Sequence, residues 1–207
     1  MNLRHLAGSV LVTALVAGLC TTGSAAVIEQ SEQNQRIAIF AFEPVGQSFT
    51  AEDARVNIAF AYLLQNPFEP DAGVEMTLYE GAGIGGTVLQ TVGVALPAAL
   101  VSAPGYPGDF VDANFSNVLL TVGNVYTAAV TTSNSSYRVG ITLQETDAYP
   151  GGQAIFGQAF SECPGATCDL RFRVTPVPAP AALPLIGAAL GALGFLRRKK
   201  EVCLAGG

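Results

Sequence analysis

Between residues 27 and 175 of this 207-residue chain, the side chains that could do chemistry are carboxylates, tyrosines and two cysteines, because the only histidine, His5, lies in an apolar leader. General acid–base catalysis most often recruits histidine, so any such work between residues 27 and 175 would fall to carboxylates or tyrosine. A glycosidase needs two carboxyl groups facing each other across a cleft. Glu80, Asp109, Asp112, Glu145, Asp147 and Asp169 are available, but no spacing rule selects a pair. A carboxylate-dependent glycoside hydrolase therefore stands last among the functional readings, and no residue is assigned as catalytic. The glycine-dense segment GAGIGGT at 81–87 lacks the Gly-Lys-Ser/Thr ending of a phosphate loop and precedes a strand, so it reads as a hairpin turn.

Cys163 and Cys168, in SECPGATCDL, are the cysteines of the 27–175 stretch. Four residues separate them and Pro164-Gly165 bends the chain between, so a small disulfide-closed loop is expected in an oxidising compartment. A zinc site would need two further ligands, and no histidine is at hand. Calcium is the more plausible ion, because it takes hard oxygen ligands from carboxylates and loop carbonyls. Asp147 and Asp169 are the candidate ligands, with simple turn support as the competing role. Sugar binding would rest on Tyr79, Tyr106, Tyr137 and Tyr149, which lie in or beside turns; the absence of tryptophan weakens that idea. Phe40, Phe60, Phe115 and Phe172 fit core positions better. Asn114 and Asn134 begin Asn-x-Ser triplets, the acceptor pattern for N-linked glycan.

These residues must be positioned by one domain of about 150 residues, a usual size for a single core. Residues 27–175 carry fifteen carboxylates, from Glu29 to Asp169, against five arginines and no lysine, a net charge of −10 where the whole chain has −6. Such a field disfavours nucleic acid and anionic membrane surfaces as partners. Short β-prone runs at 36–42, 56–64, 74–80, 87–94, 115–122, 126–132, 137–143, 153–160 and 169–174 alternate with Gly/Pro/Asn/Ser clusters. That pattern predicts an all-β fold, a β-sandwich. Alternation is clearest in VEMTLYE, which should turn Val74, Met76 and Leu78 into the core. Thr50-Ala51-Glu52-Asp53 reads equally as a single helical turn or a bend.

The ends of the chain are of another kind. Residues 1–26 have a short basic start, an apolar core from about Leu6 to Leu19 and a small-residue exit at Ser24-Ala25-Ala26, as in a secretory signal peptide. The large Leu19 argues against lipidation of Cys20. Near the other end come Val177, Pro178, Ala179 and Pro180, an apolar run from Ala181 to Leu196, and the cluster Arg197, Arg198, Lys199 and Lys200. The run holds 16 residues, short of the roughly 20 that a bilayer core needs. The cations should remain cytoplasmic, placing everything upstream across the membrane.

Pro-x-Pro, small-residue helix and basic cluster, in that order over about 176–200, resemble the C-terminal sorting domain of the PEP-CTERM family in its VPLPA-type variant. Ala179 stands where the Pro-Glu-Pro signature has glutamate, and a tail of residues 201–207 follows where the family usually stops. The resemblance implies passage through the Sec translocon, cleavage by signal peptidase and transient inner-membrane anchoring by a C-terminal transmembrane helix. Processing by an exosortase and release to the cell surface or extracellular space would follow. Within the domain, Gly46-Gln47-Ser48-Phe49-Thr50, VEMTLYEGAGIGGTVL, GNVYTAAV, Tyr149-Pro150-Gly151-Gly152 and Asp169-Leu170-Arg171-Phe172, in order, resemble a jelly-roll module of secreted and surface bacterial proteins. The expected function is a non-catalytic surface or matrix protein associated with exopolysaccharide or biofilm, with a carbohydrate-binding module as the alternative.

Overall fold

A computed structural model describes residues 26–65, 73–97, 100, 107–143, 147–158, 163 and 167–178. The strands are β1 (Ile28–Gln30), β2 (Gln35–Ala38), β3 (Val45–Thr50), β4 (Val56–Leu64), β5 (Val74–Glu80), β6 (Val88–Val94), β7 (Asp109–Asn114), β8 (Val125–Thr131), β9 (Tyr137–Thr142), β10 (Ala154–Phe156), β11 (Asp169–Leu170) and β12 (Phe172–Pro176). One helical turn, α1 (Ile39–Phe42), follows β2 directly. Every ladder is antiparallel, and the strands form two sheets, the all-β sandwich that alternation and turn spacing predict.

The smaller sheet runs β10-β3-β8-β5-β6. Its register aligns Val45, Val130, Met76 and Val92 in one row facing the core. Val74, Met76 and Leu78 are buried as their parity requires, while Glu75 and Thr77 point outward. The larger sheet centres on β4, whose Ile58, Phe60, Tyr62 and Leu64 enter the same core. Fully burying side chains of this size contributes about 1.5–3 kcal/mol each.

Arg171 interrupts the closing strand and joins three segments of the larger sheet. β11 before it pairs with β9, and β12 after it pairs with β4. Its own N–H donates to Gly140 and its carbonyl accepts from Ala61. The guanidinium donates to the carbonyls of Ser31, Pro107 and Gly108 and lies over the Phe110 ring at 4.7 Å. Arg173 takes a matching position over Phe110 at 4.8 Å and reaches Asp112 at 3.8 Å. These contacts hold the N-terminal segment and the entry to β7 against the outer side of the larger sheet.

Two local expectations are corrected. Residues 36–42 divide into β2 and α1, which leaves Phe40 50% exposed rather than in the core. Residues 115–122 form turns rather than a strand: the Asn114 side chain accepts from Ser116 N–H, and Val118 N–H bonds back to Phe115. Phe115 is buried there, but Leu119 and Val122 are exposed. The strand of this region is β7, DFVDAN, whose Asp and Asn content masks it because such residues are depleted from strands. Residues 52–55 are bends, one of the two readings open for Thr50–Asp53, and Thr50 ends a strand.

Candidate functional site

An open groove of about 730 Å³, lined by described residues, lies at one end of the smaller sheet. Its floor comes from the start of β5 (Gly73, Val74, Glu75), the end of β6 (Gly93, Val94, Ala95) and the end of β8 (Thr131, Thr132, Ser133). These ends coincide because the β5–β6 and β5–β8 ladders are antiparallel, which sets Glu75 between Gly93 and Thr131. Phe40 and Glu43 complete the rim. Glu43 accepts a hydrogen bond from Thr132 N–H at 3.1 Å, and the Thr132 hydroxyl donates to the Gly73 carbonyl at 2.8 Å. The wall is therefore preorganised, while Phe40, Glu75 and Ser133 are exposed along it.

Sequence reasoning singled out none of these as ligand-binding residues. Phe40 carried the only usable signal, an aromatic ring in a run too short to guarantee burial.

Asp147 and Asp169, separated by 21 intervening residues, do come together. Asp169 is 1% exposed at the start of β11 and accepts from Gln47 Nε2 on Oδ1 and from Tyr149 N–H on Oδ2, both at 2.9 Å. Gln47 Oε1 in turn accepts from Leu170 N–H at 2.9 Å. This ring of hydrogen bonds ties β3 of one sheet to β11 of the other. Burial pushes the Asp169 pKa above the usual carboxylate range; the bonds from Gln47 and Tyr149 oppose this, and Asp147, within hydrogen-bonding reach, adds to it. Among the described residues no group of three or more His, Cys, Asp or Glu side chains is placed to hold a metal ion.

The tyrosines do not form one platform. Tyr137 is 1% exposed in the core and presents no face to a ligand, because Leu64 and Tyr137 pair inside the larger sheet. Tyr149 packs edge-on against Phe172 at 5.1 Å and hydrogen-bonds the Thr50 backbone, and its hydroxyl pKa is raised chiefly by burial. Tyr79 lies half-buried on the outer face of β5, and Tyr106 is outside the described residues. Both triplet asparagines are engaged in turns: Asn114 accepts from Ser116 N–H and the buried Asn134 from Ser136 N–H.

Cys163 and Cys168 form a disulfide with Cα atoms 5.5 Å apart, as their spacing predicts. The Cys168 carbonyl accepts from Ala154 N–H, so the loop is fixed to the start of β10. Val177 follows β12, its N–H donating to the Arg55 carbonyl at 2.8 Å, and Pro178 is exposed just beyond. Ala179, Pro180, Arg197, Arg198, Lys199 and Lys200 are outside the described residues, as is Glu145. Among the described residues no helix is long and apolar enough to cross a membrane.

Fold and groove together define a disulfide-bearing all-β sandwich with an open acidic groove at one sheet end. A comparison with known protein families finds no match, and a comparison with curated proteins finds none either.

Proposed function

We propose that this chain is an exported, exosortase-processed protein whose β-sandwich acts without catalysis at the cell surface or in the extracellular matrix, in association with exopolysaccharide. The observation that carries this reading is the ordered tail: Val177-Pro178-Ala179-Pro180, sixteen apolar residues, then four consecutive cations. Supporting it are the leader at 1–26 and a disulfide suited to an oxidising compartment. The strand order is read as a jelly roll, with β3 as its first core strand, the β5–β6 hairpin carrying the 81–87 turn, and β11 and β12 closing it. Calcium bridging Asp147 and Asp169 belongs to the same proposal.

Intact-mass analysis of the protein exported from hosts with and without the exosortase tests the reading. Removal of the residues beyond the Pro-x-Pro segment is expected only where the enzyme is present. An unchanged C-terminus in both hosts refutes the proposal. The groove favours a second reading, a carbohydrate-binding module, because it sets an exposed aromatic ring beside carboxylates and hydroxyls.

A further inference from the structure

We propose that the groove bounded by Phe40, Glu43, Glu75 and Ser133 binds a linear polysaccharide that carries no anionic groups. The inference rests on the carbohydrate-binding reading and gives it a site and a ligand class.

The volume of about 730 Å³ lies within the roughly 300–1,000 Å³ typical of ligand pockets. Its chemistry is selective. Phe40, 50% exposed, offers an apolar ring face. Glu43 and Glu75 are acceptors for sugar hydroxyls, and a hydroxyl donating to a carboxylate makes a charge-assisted bond, roughly twice as strong as a neutral one. Thr131 and Ser133 add groups that donate and accept. Among the described residues the lining includes no lysine, arginine or histidine, so a uronate, sulfate or phosphate group would meet two carboxylates with no compensating cation there.

The surface continues beyond the groove in the direction a chain would run. On the outer face of β5, Glu75 is followed by Thr77 and then Tyr79, spanning about 14 Å at roughly 3.4 Å per residue. Thr77 and Thr91 share a hydrogen bond at 2.9 Å on this face, which leaves further acceptor capacity on both hydroxyls. Beside Glu75, Gly93 leaves the floor open: a Cβ added there would meet no atom within 4 Å. That space admits a ligand and provides a substitution that fills the groove without disturbing the fold.

Electrophoresis of the exported protein through gels containing neutral glucan, mannan, galactan or xylan, or alginate as the anionic control, tests the proposal. Retardation by at least one neutral polymer and none by alginate is expected. Phe40→Ala and Gly93→Arg should each weaken it at least about tenfold, with melting temperatures unchanged. Should either variant fail to fold, Glu75→Gln, at an exposed position, replaces it. Absence of retardation in every neutral polymer, retardation by alginate alone, or full retardation of the folded variants overturns the proposal. Retardation by alginate alone refutes the neutral ligand class but leaves carbohydrate binding standing, so the inference and the reading it rests on fail separately.

Discussion

Replacing Asp169 with asparagine changes one oxygen to NH₂ at the centre of the hydrogen-bond ring that joins the sheets. Asp169 accepts from both Gln47 Nε2 and Tyr149 N–H, and Gln47 Oε1 accepts from Leu170 N–H. An asparagine has a single acceptor oxygen, so if it serves Tyr149 its NH₂ opposes that of Gln47. Turning the Gln47 amide over relieves this conflict and sets its NH₂ against Leu170 N–H. Each arrangement leaves one buried donor unpaired, at a cost of about 1–3 kcal/mol. In a chain of this size that lowers Tm by roughly 2–12 °C.

The loss should depend on pH. Burial, with a smaller contribution from Asp147, raises the folded-state pKa of Asp169. From about 3.9, the ordinary aspartate value, up to that raised value, the native protein keeps a proton that the unfolded chain has released. Wild-type stability from this group therefore falls as pH rises through the window and levels off above the folded pKa. The asparagine variant has no such slope. Thermal unfolding of Asp169→Asn beside wild type, from pH 4 to pH 8, should show the largest gap on the acid side, narrowing toward neutrality. A gap that is constant or widens with pH refutes the raised folded-state pKa of Asp169, and identical Tm values throughout refute the ring as a stabilising element.

Other perturbations follow from single contacts. Tyr62 is fully buried and its hydroxyl has no hydrogen-bond partner among the described residues, with burial driving its pKa far above the usual phenol value. Tyr62→Phe should raise stability by about 1 kcal/mol in urea unfolding, and a loss would mean that the hydroxyl is bonded. Gly108 has φ +81°, and a Cβ there would stand 2.7 Å from the Tyr62 carbonyl and 2.9 Å from Leu63 Cγ. Gly108→Ala should cost about 1–3 kcal/mol by the same assay; a neutral result would show that the turn relaxes freely. Calcium binding between Asp147 and Asp169 would raise Tm relative to EDTA, by the equivalent of about 2.7 kcal/mol at a hundredfold excess over Kd. An unchanged Tm removes the ion from the proposal.

What the sequence determined by itself was set by local periodicity and local spacing. Alternation in VEMTLYE decides which side of β5 is buried, since successive side chains must point to opposite faces. A separation of five positions from Cys163 to Cys168, with Pro-Gly in between, suffices to bring two thiols together. Glycines 81 and 83, with φ +85° and +105°, make the β5–β6 turn legible. The β7 strand failed the same reading because its pairing with β4 outweighs the weak strand propensity of Asp and Asn.

Only tertiary structure decided which distant residues meet. Gln47 lies 122 positions from Asp169, and Arg171 is 140 from Ser31, yet each pair is hydrogen-bonded. Loop closure costs grow only logarithmically with length, so separation along the chain says little about which contacts form. The burial of Tyr137, the exposure of Phe40 and the convergence of β5, β6 and β8 on the groove depend on how two sheets stack and where their edges end. No period in a single strand encodes that stacking, because it is fixed by the joint packing of both inner faces.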